Sequence, residues 1–223
     1  RLGRCVYSRI MVGTQISLSV GLVGVFLALS IGIVLGGISG YYGGHIDFAI
    51  QRVIELVLSL PTIPIWLAAS AAVPQNWPAT LNYFMITLIL SLTGWAQLAR
   101  VVRGRFIAIR SEDFVTAARL DGNSQASIIF RHMIPNILGP IIVYTTLTIP
   151  AVMLLEAFLS FLGLGVQPPM SSWGVLIKDG AEKMEEFWWL LVFPGGVFSL
   201  TLFSLNFLGD GLRDALDVRS SKD

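Results

Sequence analysis

TQISLSVGLVGVFLALSIGIVLGGISGYYGG, residues 14–44, carries no Asp, Glu, Lys, Arg or His. A bilayer's hydrocarbon core is about 30 Å thick, and at 1.5 Å per residue a helix needs roughly 20 apolar residues to cross it. Every backbone N–H and C=O must also find its partner inside the segment there, so the run reads as a helix. The stretch predicts a transmembrane helix over residues 14–38, leaving through the glycines Gly36-Gly37 to Gly43-Gly44. Residues 1–13 precede it as a short segment expected on the extracytoplasmic side.

Working outward, Leu56 to Ala99 is again free of charge, but Pro61, Pro64, Pro74 and Pro78 interrupt it around Gln75-Asn76-Trp77. It reads as two helices and a short turn. Ile137 to Leu155 and Phe187 to Gly209 supply a fourth and a fifth span. Composition agrees: 54% of residues are hydrophobic and 13% charged, against about 25% charged in an ordinary soluble domain. The fold expected is all-α, a polytopic membrane protein of about five transmembrane helices, with a membrane domain over 14–210 and a tail over 211–223. The net charge of +1 provides no field to attract nucleic acid. The single cysteine, Cys5, has no partner for a disulfide or a metal site.

An odd number of spans puts the chain ends on opposite sides, and Lys/Arg placement chooses between the two orientations. Segments 39–52, 100–136 and 210–223 hold ten Lys/Arg residues, whereas 1–13, 74–82 and 163–186 hold five. The first set is therefore expected in the cytoplasm, together with the C-terminus. Arg1, Arg4 and Arg9 dissent, and a helix missing upstream would reduce their weight. The chain lacks an initiator Met, so a trimmed N-terminus is expected.

Between the third and fourth spans, residues 110–136 punctuate themselves. Ser111 suits an N-cap, with Glu112 and Asp113 placed to meet the helix dipole, and Gly122 suits the left-handed residue that ends a helix. Asn123 or Ser124 can cap a second short helix, which Pro135 ends or kinks. A compact helix pair projected from the membrane gives a partner something rigid to grip. The plainer alternative is a positive-inside loop that happens to be amphipathic. A DNA-reading pair is disfavoured by its acidic residues and by the membrane spans on both sides.

Thr116-Ala117-Ala118, then Gly122, then Ile134-Pro135 resembles the EAA loop of ABC importer permeases, whose pattern is Glu-Ala-Ala, three residues, Gly, nine residues, Ile-x-Leu-Pro. This sequence departs in having Thr116 for Glu, His132 for Ile and Ile134 for Leu. The stretches Gly40-Tyr-Tyr-Gly-Gly, Leu159-Ser-Phe-Leu-Gly-Leu-Gly-Val-Gln-Pro-Pro and Asn206-Phe-Leu-Gly-Asp-Gly-Leu-Arg-Asp resemble the "C"-type permeases of oligopeptide and dipeptide importers, a branch that also includes nickel and some oligosaccharide systems. The resemblance implies type I importer architecture, one more helix upstream, and a place in the bacterial inner membrane. It implies as partners a second homologous permease, two cytoplasmic ATPase subunits and an extracytoplasmic binding protein. The loop would dock on an ATPase, with Gly122 forming the turn, Ala117 and Ala118 the contact face, and Arg119 and Asp121 polar contacts. Thr116, His132 and Pro135 complete its candidate residues. No Gly-x-x-x-x-Gly-Lys-Ser/Thr phosphate loop occurs. ATP and Mg are therefore expected on the partner subunits, with no cofactor, metal or catalytic residue on this chain.

Glu156 lies at the outer end of the fourth span, directly after Leu155, where a carboxylate is costly enough to suggest a pathway or gate role. Its alternative is a place at the membrane interface or a hydrogen bond to a neighbouring helix. Pro61 and Pro64 should kink the second span and so help it line a cavity, although kinks are also common in purely structural helices. Trp173, Trp188 and Trp189 read as interfacial anchors, Arg52 and Glu55 as an i,i+3 pair, and Asp210, Arg213, Asp214 and Asp217 as a solvated helix end. Two other functions stay open: an ion-driven transporter or channel without ATPases, and an intramembrane enzyme. The histidines His45 and His132 lie in no catalytic motif.

Overall fold

The computed structural model describes residues 5–74, 76–166 and 170–217. Arg1, Arg4 and the end of the tail, 218–223, lie outside them. The helices are α1 (Val6–Tyr42), α2 (Gly44–Ser59), α3 (Thr62–Ala72), α4 (Ala79–Ile109), α5 (Asp113–Leu120), α6 (Gln125–Ser127), a π-helical turn (Ile128–Met133), α7 (Ile134–Asn136), α8 (Leu138–Phe161), α9 (Trp173–Ala181) and α10 (Trp189–Asp217). Four of them, α1, α4, α8 and α10, are long and apolar enough to cross a membrane, and α2 with α3 makes a fifth if the pair counts as one span.

The spans run past the limits expected from hydropathy. Helix α1 starts at Val6 rather than Thr14, so much of 1–13 is helix, and Arg9 there pairs with Asp179 at 2.7 Å. It also continues through Gly36, Gly37 and Gly40 to Tyr42, and the break falls at Gly43 and Gly44, with φ of 66° and 55°. The continuation has a packing cause. In lipid, helices associate through close van der Waals contact rather than through exclusion of water, and small residues permit it. A Cβ built at Gly36 would lie 2.5 Å from the Ala99 carbonyl oxygen, and one at Gly40 2.5 Å from the Phe106 Cβ. These glycines therefore serve the contact between α1 and α4, which outweighs their low helix propensity.

Pro61 ends α2 outright instead of kinking a continuous span, and Pro64 falls in the first turn of α3, where no N–H donor is required. Helix α4 carries on to Ile109, so the arginines of 100–109 lie on a helix rather than in a loop.

The described chain divides into two compact units. One comprises Arg1–Phe26, Thr62–Leu92 and Thr146–Gly209. Its core includes Ile10, Met153, Ala157, Trp173, Leu176 and Phe198, and a second cluster joins Val20, Trp66, Ile86, Leu90 and Leu159. Trp173 is fully buried, 5.6 Å from Phe198 between ring centres, and is thus a core residue rather than an interfacial anchor. Trp188 and Trp189 are exposed, as anchors would be. The other unit comprises Leu27–Pro61, Thr93–Thr145 and Asp210–Asp223. Its core gathers Leu98, Val102 and Phe106 from α4 with Val115, Ala118, Ile128, Ile129 and Met133 from the segment that follows.

Candidate functional site

The segment 110–136 folds as a helix, a tight turn and a second helix. Helix α5 begins at a cap residue, Glu112, in extended conformation with no side-chain cap bond, so Ser111 does not cap it. Its far end is closed by backbone geometry: Gly122 N–H donates to Arg119 O (3.1 Å) and Asn123 N–H to Ala118 O (3.2 Å). This is the Schellman arrangement, which requires a left-handed residue after the cap. Gly122 supplies it with φ 75°. Ser124 then caps the second helix, its hydroxyl accepting from Ser127 N–H at 3.3 Å. The π-turn precedes Pro135, which has no N–H to give to the helix.

This pair does not stand free. Val115, Ala118, Ile128, Ile129 and Met133 bury its inner face against Phe106 and Val102 of α4. The candidate residues consequently separate. Ala118 is 4% exposed and belongs to the unit's own core, so of the two alanines only Ala117 faces outward. Thr116 and Asp121 are exposed, and Gly122 has open space beyond it. Arg119 lays its guanidinium over the Tyr41 ring at 5.4 Å, tying the pair to the end of α1. His132 is half-buried and its carbonyl accepts from Asn136 Nδ2 at 2.6 Å; Pro135 is exposed. An apolar stripe completes the outer face: Phe114, Ala117 and Leu120 recur at three-residue spacing, with Leu120 84% exposed.

Sequence reading missed a polar cluster beside the pair. Arg103 of α4 donates through Nε and Nη2 to the two carboxylate oxygens of Asp47 in α2, each at 2.6 Å. Ser39 Oγ donates to Asp47 Oδ1 at 2.5 Å, and Gln51 Nε2 donates to Ser39 Oγ at 3.2 Å. The four residues lie up to 64 positions apart, so no local spacing connects them. The Arg52–Glu55 pair, which local spacing does connect, forms at 2.7 Å.

Glu156 is fully buried in its unit. Ser17 Oγ donates to its Oε2 at 3.1 Å and Ser160 Oγ to its Oε1 at 2.7 Å. Each serine also accepts a backbone N–H, Ser17 from Trp173 (3.1 Å) and Ser160 from Val166 (3.3 Å). The carboxylate thus ties α1 and α8 to the segment that leads into α9. Pro61 and Pro64 are both exposed.

Residues 32–222 match the family described as binding-protein-dependent transport system inner membrane component. The oligopeptide transport system permease protein OppC of Haemophilus influenzae is 45% identical over 217 residues, which cover 97% of this chain and 68% of that protein. The dipeptide transport system permease protein DppC of Bacillus subtilis is 41% identical over 219 residues, 98% of this chain and 67% of the relative. Among solved structures, an amino acid ABC transporter aligns with a TM-score of 0.67 at 14% identity, covering 94% of each chain. The MetNI methionine ABC transporter in an inward-facing conformation aligns with the same TM-score at 15% identity, covering 94% of this chain and 97% of that one.

Proposed function

This chain belongs to the binding-protein-dependent transport system inner membrane components and is a permease subunit of an ABC importer, and from that premise we propose that it passes peptides and takes its mechanical input through residues 110–136. The peptide assignment rests on relatives named for oligopeptide and dipeptide transport. The coupling assignment rests on one observation. The helix pair buries one face in the unit's core and turns an apolar stripe, Phe114, Ala117 and Leu120, away from it. An apolar stripe on a charge-rich segment marks a surface that another protein covers.

In this reading a cytoplasmic ATPase grips the outer face of the pair, with Thr116, Ala117, Arg119, Asp121 and Gly122 at or beside the contact. Ala118, His132 and Pro135 shape the pair from behind. ATP and Mg bind on two such ATPase subunits and not on this chain. A second homologous permease completes the pathway, and a binding protein delivers the cargo from outside. The excess of Lys/Arg on the segments joined to the pair supports a cytoplasmic position for it and for the C-terminus. Pro61 and Pro64 are exposed on this subunit, as residues lining a path shared with a second permease must be. Glu156 holds the segment before α9 in place rather than lining that path, because both of its oxygens are occupied.

Leu120→Asp tests the reading. The side chain is 84% exposed, so the change should leave the subunit's own stability within about 0.5 kcal/mol. The ATPase subunits should no longer copurify with the variant, and ATP-dependent uptake of a labelled oligopeptide into proteoliposomes should fall with them. Full assembly and uptake in the variant would overturn the coupling assignment.

A further inference from the structure

We propose that the Asp47–Arg103 ion pair is a positioning element that carries movement of the 110–136 pair into α2 and so keeps ATP hydrolysis and transport in step. The inference rests on the permease reading above and deepens it by assigning the transmission to named side chains.

Three observations lead there. The first concerns how α2 is held. From Gly44 to Ala49 every residue of α2 is exposed except Asp47, so the first turn and a half of the helix is anchored through that one carboxylate. Farther along, Ile50, Ile54 and Val57 pack against Trp95, Ala96 and Ala99. The second is the link between α1 and α2. It is a single residue, Gly43, followed by Gly44, both at positive φ, a backbone free to change direction when a neighbour pulls on it. The third is what surrounds that link. Arg119 of α5 covers Tyr41, two residues before Gly43, and a Cβ at Gly43 would lie 3.3 Å from Arg110 Nη1. Arg103 stands one helical turn before Phe106, which is fully buried among Val115, Ala118 and Met133 of the pair. A displacement of α5 therefore reaches the start of α2 along α4, through Phe106 and Arg103, and along the turn, through Tyr41.

The chemistry of the contact suits this role better than a purely stabilising one. A half-buried ion pair adds little net stability, because desolvation offsets much of the attraction. A two-pronged guanidinium–carboxylate contact instead fixes orientation, since both N–H vectors must stay aligned with both oxygens. Ser39 supplies a further donor to Asp47 from α1, so the carboxylate records the mutual register of α1, α2 and α4.

The experiment uses the assembled importer in proteoliposomes with its binding protein, measuring ATP hydrolysis and uptake of a labelled oligopeptide on the same sample. Asp47→Asn and Arg103→Gln should each leave hydrolysis within about twofold while uptake per ATP falls about tenfold, inside the usual range of coupling effects. The exchange Asp47→Arg with Arg103→Asp should recover at least half of the lost ratio. An unchanged ratio in both single variants overturns the proposal, as does a parallel loss of hydrolysis, uptake and assembly that the exchange does not repair. Failure of the unsubstituted complex to take up peptide on ATP would instead count against the permease reading, which keeps the two separable.

Discussion

Replacing Gly36 with alanine adds one methyl group where α1 meets α4. That carbon would sit 2.5 Å from the Ala99 carbonyl oxygen, 2.9 Å from the Val102 Cβ and 3.0 Å from the Ala99 Cα. Comfortable contact between such atoms begins near about 3.5 Å, so the helices must part by roughly 1 Å. Two of the three obstacles are backbone atoms of Ala99, which no rotamer change can move aside. Overpacking of this kind costs about 1–3 kcal/mol, and the rigid obstacle argues for the upper part of that range. Alanine also favours a helix over glycine by about 1 kcal/mol, which partly hides the clash. Gly104→Ala removes the ambiguity. Gly104 lies inside α4 with nothing within 4 Å of its added carbon, so it receives the propensity gain without the clash. Thermal unfolding of the purified subunit in lipid nanodiscs should then show Gly104→Ala at or above the parent and Gly36→Ala below Gly104→Ala by about 1–3 kcal/mol. Equal shifts in the two variants would refute the close α1–α4 contact and the explanation of why α1 runs unbroken to Tyr42.

Glu156→Ala leaves the Ser17 and Ser160 hydroxyls without their acceptor in a buried site, so a loss of about 2 kcal/mol or more is expected in the same unfolding measurement, with Glu156→Gln losing less because it keeps one acceptor oxygen. Parent-like stability in both variants would remove the tie. Orientation has its own readout in a Cys5→Ser background. In the permease purified without its ATPase subunits, Leu120→Cys should react with a membrane-impermeant maleimide only from the cytoplasmic side, and Met184→Cys, at a position 58% exposed, only from outside. The reverse pattern would invert the topology and with it the coupling assignment.

Several features were legible in the sequence. The Gly122 turn follows a local rule of backbone geometry and formed where residue type placed it, while of the two cap candidates, Asn123 and Ser124, it is Ser124 that caps the second helix. The spans were legible because lipid demands a length of apolar helix that few other environments would tolerate. Their ends were not, since charge-free runs stop at the first arginine while helices continue, as α4 does through Arg100, Arg103 and Arg105. Ser111 looked like a cap by type, but the cap position falls one residue later, at the extended Glu112, and helical geometry begins at Asp113.

By itself, the sequence determined the membrane class, the positions of the main helices and the two-helix form of 110–136, because each follows from interactions among residues within about one helical turn or from the solvent that surrounds a single helix. Only the tertiary structure decided which alanine of the pair faces outward, that Asp47 meets Arg103, and that Glu156 is closed off by Ser17 and Ser160. Those outcomes depend on which faces of distant helices approach within a few ångströms, and no spacing along one chain encodes that directly.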